Sequence, residues 1–297
     1  MQQLYLYLSM SQACFFQSPG GGFGNLLFQV CALYSHAKKN NYVPIFNSIY
    51  EDKKRPNIQK YKELFRMIGI LAIDQTHLSS HVYYAPRFHE TSPTSYTPIH
   101  PQTLLLHGYM QSYQYFWEHK FELFDMMKNN DSTRFQNAQS FIQSQQPMSK
   151  KDGEVAFMHL RRTDYLPLPR FHPVCSDNYY EQAMKHLPER CSLLLVFSDD
   201  IAYAKQLPCC QPDMSNKKIV FVEEEDVVTT FFMMCLCQHS IIANSSLSLL
   251  GMLFQPTTSE PFVRIVPSVW FGPDGPSFDH KQVMPIDDLN IKILPSN

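Results

Sequence analysis

The sequence predicts an α/β protein made of parallel, doubly wound sheets. In the second half of the chain, short apolar runs alternate with helix-forming stretches through short links, the pattern of repeated β-α-β units. The first half opens in the same way, with a strand, a glycine-rich loop, a helix and a strand. A chain of 297 residues exceeds the usual size of one hydrophobic core. We therefore expect two lobes, residues 1–148 and 149–297, divided within the polar stretch 144–153.

The composition argues against several classes of protein. The chain is 44% hydrophobic and 18% charged, as in ordinary globular proteins, and its net charge is −2. This balance argues against nucleic acid or an anionic membrane as a partner. The eight cysteines show no C-x-x-C spacing, which favours reduced thiols over a zinc or disulfide framework. The first apolar segment is too short for a membrane span and lacks a basic flank, so we expect a cytoplasmic protein.

In the first lobe, apolar runs predict strands and a glycine-rich loop opens a helix. Two runs compete for the first strand, and residues 50–101 are uninformative. The loop, residues 19–25, leads into a helix that we expect to end near Asn40, with Asn25 as its N-cap. The expected strands are residues 4–8 or 13–16, then 43–46 and 104–107.

A dinucleotide site is the alternative interpretation of this loop, and its signal is weak. Gly22 and Gly24 supply the first two glycines of such a motif, but Leu27 stands where the third belongs. Asn47 occupies the position where an acidic residue would end the next strand. An ordinary tight turn explains the glycines equally well.

An aromatic segment follows the strand at residues 104–107. Residues 108–117 combine tyrosines with Gln111 and Ser112, and rings beside amides suit a carbohydrate surface. A helix face buried in the core is the commoner explanation of such a segment.

Three strand ends in the second lobe carry polar residues. The second-lobe strands are expected at residues 155–160, 193–197, 219–222, 240–243 and 263–266, with helices between them. Parallel strands bring their carboxyl ends to one edge of the sheet, where α/β proteins bind ligands. The polar residues are His159, Arg161, Arg162 and Asp164, then Ser198, Asp199 and Asp200, then Asn244, Ser245 and Ser246.

These residues together favour a site for a nucleotide diphosphate. Two arginines offer planar forks of donors for phosphate oxygens, and a helix start offers free N–H groups. Each group also has a plain structural explanation, as helix caps or as a solvated charge cluster. The chain contains no Asp-x-Asp tripeptide, so arginines and backbone donors are expected to replace a metal ion, and no cofactor is implied.

At this point the chain resembles the α-1,2-fucosyltransferases, glycosyltransferase family 11. Five motifs match in order over nearly the whole chain. Residues 22–29 resemble G-x-x-G-N-Q-x-F-Q, 108–116 resemble G-Y-x-Q-S-Y-x-Y-F, 159–164 match the H-x-R-R-x-D motif shared with α-1,6- and protein O-fucosyltransferases, 197–200 look like F-S-D-D, and 241–251 are similar to I-I-A-N-S-T-F-S-W-W-G.

The resemblance implies a GT-B fold of two Rossmann-like lobes with a cleft between them. It implies metal-independent, inverting transfer of fucose from GDP-β-L-fucose to the 2-hydroxyl of a galactose-containing glycan. Arg161 would bind the diphosphate, with His159 and an aspartate of residues 198–200 near the nucleoside; His159, Arg161 and Asp164 are the expected catalytic residues. The expected cleft and acceptor residues are Gly22, Gly24, Asn25, Gln29, Tyr109, Gln111 and Tyr113.

Departures from the family pattern bear on the acceptor more than on the donor. Leu26 stands in place of glutamine, Leu249 and Leu250 in place of two tryptophans, and Thr163 in place of the frequent glycine. Two other functions stay open: the same fold acting on another nucleotide-deoxysugar, such as a rhamnosyl donor, and a catalytically silent glycan-binding module.

Overall fold

The computed structural model describes residues 12–47, 64–73, 86–90, 92–146, 153–211, 216–223, 226–256 and 262–296. The chain forms two compact units. The first comprises Met1–Ser132 with Gln282–Met284, and the second comprises Thr133–Lys281 with Pro285–Asn297. The division falls before residue 133 rather than at the expected 148/149 boundary, and one segment returns to the first unit from late in the chain.

The first unit contains a five-stranded parallel sheet in the order β3-β2-β1-β5-β4. The strands predicted at residues 13–16, 43–46 and 104–107 are confirmed, whereas the competing residues 4–8 lie outside the described part of the chain. Two further strands fall within the stretch that the sequence left uninformative. The strands are β1 (Ala13–Gln17), β2 (Val43–Asn47), β3 (Leu71–Ile73), β4 (Arg87–His89) and β5 (Leu105–His107).

Helix α1 (Phe23–Lys39) follows the glycine loop and packs most of its length into the core. The expectation that Asn25 caps this helix is wrong. Gly22 is the N-cap, with an extended backbone (φ −74°, ψ 177°), so Asn25 lies inside the first turn. Its side chain is instead a partner of Gln111, whose amide Nε2 donates to Asn25 Oδ1 at 2.8 Å.

Two consecutive helices, α2 (Lys120–Asn130) and α3 (Ser132–Gln145), end one unit and begin the other. Helix α2 belongs to the first unit: Tyr34 of α1 donates from its hydroxyl to Glu122 Oε1 at 2.8 Å. Helix α3 belongs to the second unit, because Arg134 Nε lies 2.9 Å from Asp226 Oδ2. These contacts explain why the division precedes α3 and not the polar stretch at 144–153.

The late segment that joins the first unit is held by hydrogen bonds to Gln282. The Tyr96 N–H donates to Gln282 Oε1 at 3.0 Å, and the Ser112 hydroxyl donates to the Gln282 carbonyl. Met284, two residues later, is fully buried.

The second unit contains a six-stranded parallel sheet in the order β11-β10-β9-β6-β7-β8. Numbered within the unit, this is the order 3-2-1-4-5-6 of doubly wound nucleotide-binding sheets, and the chain reverses direction of winding between β6 and β9. The strands are β6 (Glu154–Leu160), β7 (Cys191–Ser198), β8 (Lys218–Phe221), β9 (His239–Ile241), β10 (Arg264–Pro267) and β11 (Ile291–Leu294).

Five strands of this sheet confirm the predicted runs, but the expectation that the run at 263–266 is the last strand is wrong. Strand β11 follows it at the sheet edge, where Lys292 is exposed and Ile293 is 43% exposed. The segment has four residues, and the charged Lys292 interrupts it, so no continuous apolar run marks the strand.

Polar side chains cap two of the helices that follow in the chain. Ser176 accepts from the Tyr179 N–H at 3.3 Å, and Asp226 accepts from the Thr229 N–H at 2.9 Å. The helices are α4 (Asp177–Met184), α5 (Ile201–Ala204), α6 (Val227–Leu236), α7 (Ser246–Leu253) and α8 (His280–Val283).

All eight cysteines lie in the described part of the chain, where they are buried and outside any disulfide bond. Among the residues that the structure describes, no helix combines the length and the apolar character needed to cross a bilayer.

Candidate functional site

The winding reversal of the second unit lies between β6 and β9, and two of the predicted motifs follow these strands. Residues 159–164 continue from β6, and Asn244 and Ser245 follow β9 closely. Crevices at such reversals are where doubly wound sheets bind ligands, because the loops on either side separate there. The motif after β7, residues 198–200, lies beside the first of these loops.

Asp199 fixes the loop that follows β6. Its carboxylate accepts from the Arg162 N–H at 2.9 Å, the Thr163 N–H at 3.1 Å and the Thr163 hydroxyl at 2.6 Å. Charge-assisted bonds of this kind are stronger than neutral ones. Asp199 therefore shapes the arginine loop with both of its oxygens.

Arg161 is held at the mouth of this loop by two carboxylates. One terminal nitrogen, Nη2, donates to Asp164 Oδ2 at 2.6 Å, and its Nε lies 3.5 Å from Asp199 Oδ2. Burial lowers the pKa of the guanidinium, but the neighbouring carboxylates raise it by more, so the side chain stays charged. The side chain remains 35% exposed. Arg161 thus presents a positioned, charged fork to the crevice edge.

Arg162 is turned towards helix α5. Its guanidinium lies 3.7 Å from the ring centroid of Tyr203, and its Nε is 3.3 Å from Asp200 Oδ2. Asp200 is also the N-cap of α5 and accepts from the Tyr203 N–H at 3.1 Å, while Ser198 Oγ accepts from the Asp200 N–H at 2.9 Å. The structural explanation of Asp200 as a helix cap is therefore confirmed, whereas Ser198 caps no helix itself and instead holds Asp200. The donor-binding role of both residues stays a prediction.

His159 is a buried, neutral imidazole at the end of β6. Burial and the charge of Arg161 lower its pKa to about 4, although Asp199 opposes the shift. Within the described part of the chain its Nδ1 atom has no hydrogen-bond partner. A buried nitrogen without a partner is unusual in a native protein and often marks a site that a ligand completes.

Asn244 joins three loops at this edge of the sheet. Its amide nitrogen donates to the carbonyls of Pro173 and Trp270, both at 2.9 Å, and its backbone carbonyl accepts from the Tyr165 hydroxyl at 2.9 Å. The side chain is 2% exposed and also accepts from the Cys175 thiol. Asn244 therefore holds the crevice wall together, and the expected direct contact with a donor stays a prediction.

Helix α7 begins beside this wall. Ser245 is its N-cap, and the Ser245 side chain makes no capping hydrogen bond to the described first turn. The Ser248 hydroxyl is directed back to the carbonyls of Ala243 and Ser245 at 3.4 and 3.3 Å. The backbone N–H groups of the first turn of α7, which begins at Ser245 and Ser246, are therefore placed to bind an anion, as at other helix N-termini.

An aromatic wall continues outward from Arg161, and the sequence reasoning did not include it. The Arg161 guanidinium lies 5.9 Å from the Tyr165 ring, which stacks on His172 at 4.5 Å. Arg170 bonds Asp274 through two nitrogens at 2.8 Å each, and so joins this loop to the one after β10. The local sequence signal for a stiff loop here is its three prolines, Pro167, Pro169 and Pro173.

In the first unit, the glycine loop and the aromatic segment meet at the carboxyl ends of β1 and β5. Gln29 is fully buried and holds the loop: Ser18 donates to its Oε1 at 2.6 Å, and its Nε2 donates to the Gly20 carbonyl at 3.2 Å. His107 Nδ1 donates to the Gln17 carbonyl at 2.7 Å. Gln29 is therefore a scaffold residue of this loop.

The predicted acceptor residues surround the bond between Gln111 and Asn25. Gly22 is exposed and Gly24 is buried, while Tyr109 and Tyr113 are half-buried, and the Tyr113 ring meets Trp117 edge-on at 5.6 Å. The segment forms irregular backbone and two short 3-10 turns, Tyr113–Tyr115 and Trp117–His119, instead of a core helix. Amides and rings thus gather at one sheet edge, and their binding role stays a prediction.

Sequence reasoning missed Glu90, which directly follows β4. Its carboxylate accepts from the Met110 N–H and so contacts the same aromatic segment. Nothing local could have indicated it, since Glu90 lies in a stretch without periodicity and its partners are some twenty residues later.

The comparisons with known proteins agree with this geometry. The family model named Glycosyl transferase family 11 matches residues 50–255. The chain is 32% identical over 127 residues to the O-antigen biosynthesis glycosyltransferase WbnK of Escherichia coli, covering 41% of this chain and 40% of the relative. It is 27% identical over 170 residues to an alpha-1,2-colitosyltransferase of Escherichia coli, covering 55% of each. The matched region therefore spans about half the length of these relatives or less.

Solved structures show the fold. Fucosyltransferase NodZ from Bradyrhizobium aligns with a TM-score of 0.50 at 11% identity, covering 82% of this chain and 94% of that one. NodZ alpha-1,6-fucosyltransferase co-crystallized with GDP aligns with a TM-score of 0.51, also at 11% identity, covering 82% and 93%. The predicted α/β, GT-B-type class is confirmed, and so is the predicted family. Because the family model covers more than half of the sequence, the chain belongs to glycosyl transferase family 11.

Proposed function

We propose that this protein is an inverting, metal-independent fucosyltransferase. It moves L-fucose from GDP-β-L-fucose to the 2-hydroxyl of a galactoside and forms an α-1,2 linkage. One observation carries the proposal: a charged arginine fork, held by Asp164 and Asp199, follows the strand beside the winding reversal of a nucleotide-binding sheet. The co-crystal of NodZ with GDP supports the choice of nucleotide.

The donor diphosphate binds to Arg161 and to the N–H groups that begin helix α7. A guanidinium can bond two phosphate oxygens at once, and a helix start adds partial positive charge. Negative charge grows on the diphosphate as the sugar leaves, so these groups stabilise the transition state more than the ground state. They supply the countercharge that a divalent cation supplies elsewhere.

His159 acts as a neutral hydrogen-bonding group near the nucleoside. Its pKa of about 4 means that it carries no charge at neutral pH, so it contributes no countercharge to the diphosphate. The unpartnered Nδ1 is available to a polar group of the donor. This assignment separates His159 from the charge-stabilising role of Arg161.

The acceptor binds among Asn25, Gln111 and the tyrosines of the first unit. Its 2-hydroxyl oxygen attacks the anomeric carbon, the bond from that carbon to the phosphate oxygen breaks, and GDP leaves with the electron pair. The hydroxyl proton passes to a base. A single displacement at a β-linked donor gives an α-linked product, because the attack occurs on the opposite face.

A second candidate donor is GDP-colitose, because a relative at 27% identity is an alpha-1,2-colitosyltransferase. Colitose is fucose without its 3-hydroxyl, so both sugars fit one pocket unless that hydroxyl has its own partner. A rhamnosyl donor and a silent glycan-binding module are the remaining alternatives.

A donor screen tests the proposal. Released nucleotide is measured with GDP-fucose, GDP-colitose, GDP-mannose and dTDP-rhamnose, each with lactose as acceptor, and the product linkage is determined by NMR. Turnover with GDP-fucose and an α-1,2 product is expected. If another donor is preferred, that sugar replaces fucose as the proposed donor. A β-linked product would contradict single displacement. Lactose binding without turnover of any donor would favour the glycan-binding module.

A further inference from the structure

The aromatic segment of the first unit begins with an unusual turn. Gly108 has φ +136° and Met110 has φ +53°, both in the left-handed half of backbone space that side chains disfavour. A Cβ at Gly108 would lie 2.5 Å from the Glu90 Cβ, so only glycine fits beneath this side chain. Such a turn persists only where its surroundings hold it.

The Glu90 carboxyl holds this turn. Its Oε2 accepts from the Met110 N–H, and the Tyr109 N–H also bonds the carboxyl group. The Glu90 N–H donates to the His107 carbonyl at 3.2 Å, which fixes the residue over the end of β5. The three contacts span the turn, so Glu90 determines how the chain leaves the sheet.

The residues beyond the turn are those that the proposed function assigns to the acceptor. Tyr109 lies within the turn, and Gln111 follows it and donates to Asn25 at 2.8 Å. Resting on the proposed function, we propose that Glu90 is a positioning residue for the acceptor: it sets the turn Gly108–Met110 and thereby places Tyr109 and Gln111 against the sugar.

The state of the carboxyl group follows from its burial. Burial raises the pKa of Glu90 to about 8, although the N–H groups of Met110 and Tyr109 lower it, so the group is mainly protonated at pH 7. The proton belongs on Oε1, since Oε2 accepts from the Met110 N–H; Oε1 is buried and has no hydrogen-bond partner among the described residues.

Several titratable side chains stand near Glu90. His89 and His107 stand next to Glu90 on β4 and β5, with their rings 5.4 Å apart, and Tyr115 interacts with it electrostatically. Tyr96 lies beyond Tyr115, at 5.0 Å between ring centroids. Burial favours a neutral Glu90, and ionisation above pH 8 places a buried negative charge under the turn, which the N–H groups of Met110 and Tyr109 offset in part.

Variants separate positioning from proton transfer. Glu90→Gln keeps a carbonyl oxygen for the two N–H groups and is neutral at every pH, whereas Glu90→Ala removes the acceptor. We expect Glu90→Gln to bind lactose within twofold of the native protein at pH 7, and Glu90→Ala to bind it at least tenfold more weakly. Lactose binding is followed by NMR titration without donor, and Glu122→Gln, a surface variant of the first unit, serves as the control.

Two further readouts follow the turn itself. Amide hydrogen exchange at Tyr109 and Met110 should accelerate in Glu90→Ala and stay native in Glu90→Gln. The native protein should lose lactose affinity between pH 7 and 9, and Glu90→Gln should not. Thermal unfolding confirms that each variant is folded; if Glu90→Ala does not fold, the pH profile of Glu90→Gln decides.

The outcomes are distinct. Native lactose binding and native exchange in Glu90→Ala would overturn the inference. A loss of kcat by a hundredfold or more in Glu90→Gln, with lactose affinity unchanged, would also overturn it, because that result identifies a general base. Glu90-dependent lactose binding without transfer from any donor would overturn the proposed function and support this inference.

Discussion

Substitution of Arg161 by lysine is the most direct test of the donor site. Lysine keeps the positive charge but replaces a planar fork by a single ammonium group on a flexible stem. Arg161 is held by Asp164 at 2.6 Å and by Asp199 at 3.5 Å, so its fork is already oriented before the donor binds. The variant therefore loses a preorganised second donor to the diphosphate.

The size of the effect follows from similar donors in other enzymes. Removing one transition-state donor costs roughly 2.7–4 kcal/mol, and because lysine retains the charge we expect about 2–3 kcal/mol. At about 1.4 kcal/mol per factor of ten, kcat/KM should fall by about 30- to 150-fold. The pair with Asp164 is partly exposed and contributes at most ~1 kcal/mol to folding, so thermal stability should change little.

The assay is released GDP against donor concentration, and the chain offers a matched control. Arg170 lies in the same loop and bonds Asp274 through two nitrogens, but its side chain is 71% exposed. Arg170→Lys should retain kcat/KM within about twofold. Folded Arg161→Lys with more than a third of native kcat/KM would refute the diphosphate role, and an equal loss in both variants would indicate general disruption of the loop.

Four other outcomes are expected. Activity should survive excess EDTA, and restoration only by added Mg²⁺ or Mn²⁺ would contradict the metal-free proposal. Asn244→Ala should lower the free energy of unfolding in urea by about 2–4 kcal/mol, since one buried and one half-buried carbonyl lose their donor. The exposed control Asn178→Ala should change it by less than about 0.5 kcal/mol. Glu90 keeps its proton up to about pH 8 in the folded protein but loses it near pH 4.5 in the unfolded chain. The free energy of unfolding should therefore fall as the pH rises from 5 to 8, and Glu90→Gln should abolish this pH dependence. The thiols should react with Ellman's reagent only after unfolding, because all eight are buried and burial raises the pKa of groups such as Cys14, to about 12.

The parts of the fold that could be predicted from the sequence are those set by local patterns. Strands β6 and β7 are buried on both faces and appear as continuous apolar runs, so they were expected where they occur. Strand β11 was missed, because Lys292 is exposed and interrupts a run of four residues. The start of helix α1 was misplaced, because Gly22 and Asn25 are both acceptable caps and only the tertiary bond to Gln111 decides between them.

The same distinction applies to the candidate site. Residues 159–164 form one contiguous string, so their charge pattern was visible without a structure. Glu90 and Tyr203 act through partners from other segments: Glu90 through Met110, and Tyr203 through Arg162. Such contacts depend on the order of the strands in the sheet, which the spacing of residues along the chain does not reveal.

The return of Gln282–Met284 to the first unit bears on how the protein forms during synthesis. The Ser112 hydroxyl donates to the backbone carbonyl of Gln282, 170 positions later, and the Tyr96 N–H donates to the side chain of the same residue. When residues 1–132 of the first unit have been synthesised, these two bonds cannot yet form. The aromatic segment lacks them until nearly all of the second unit has been translated. Folding of the two units is therefore linked in time, and premature termination late in the chain weakens the first unit as well as the second.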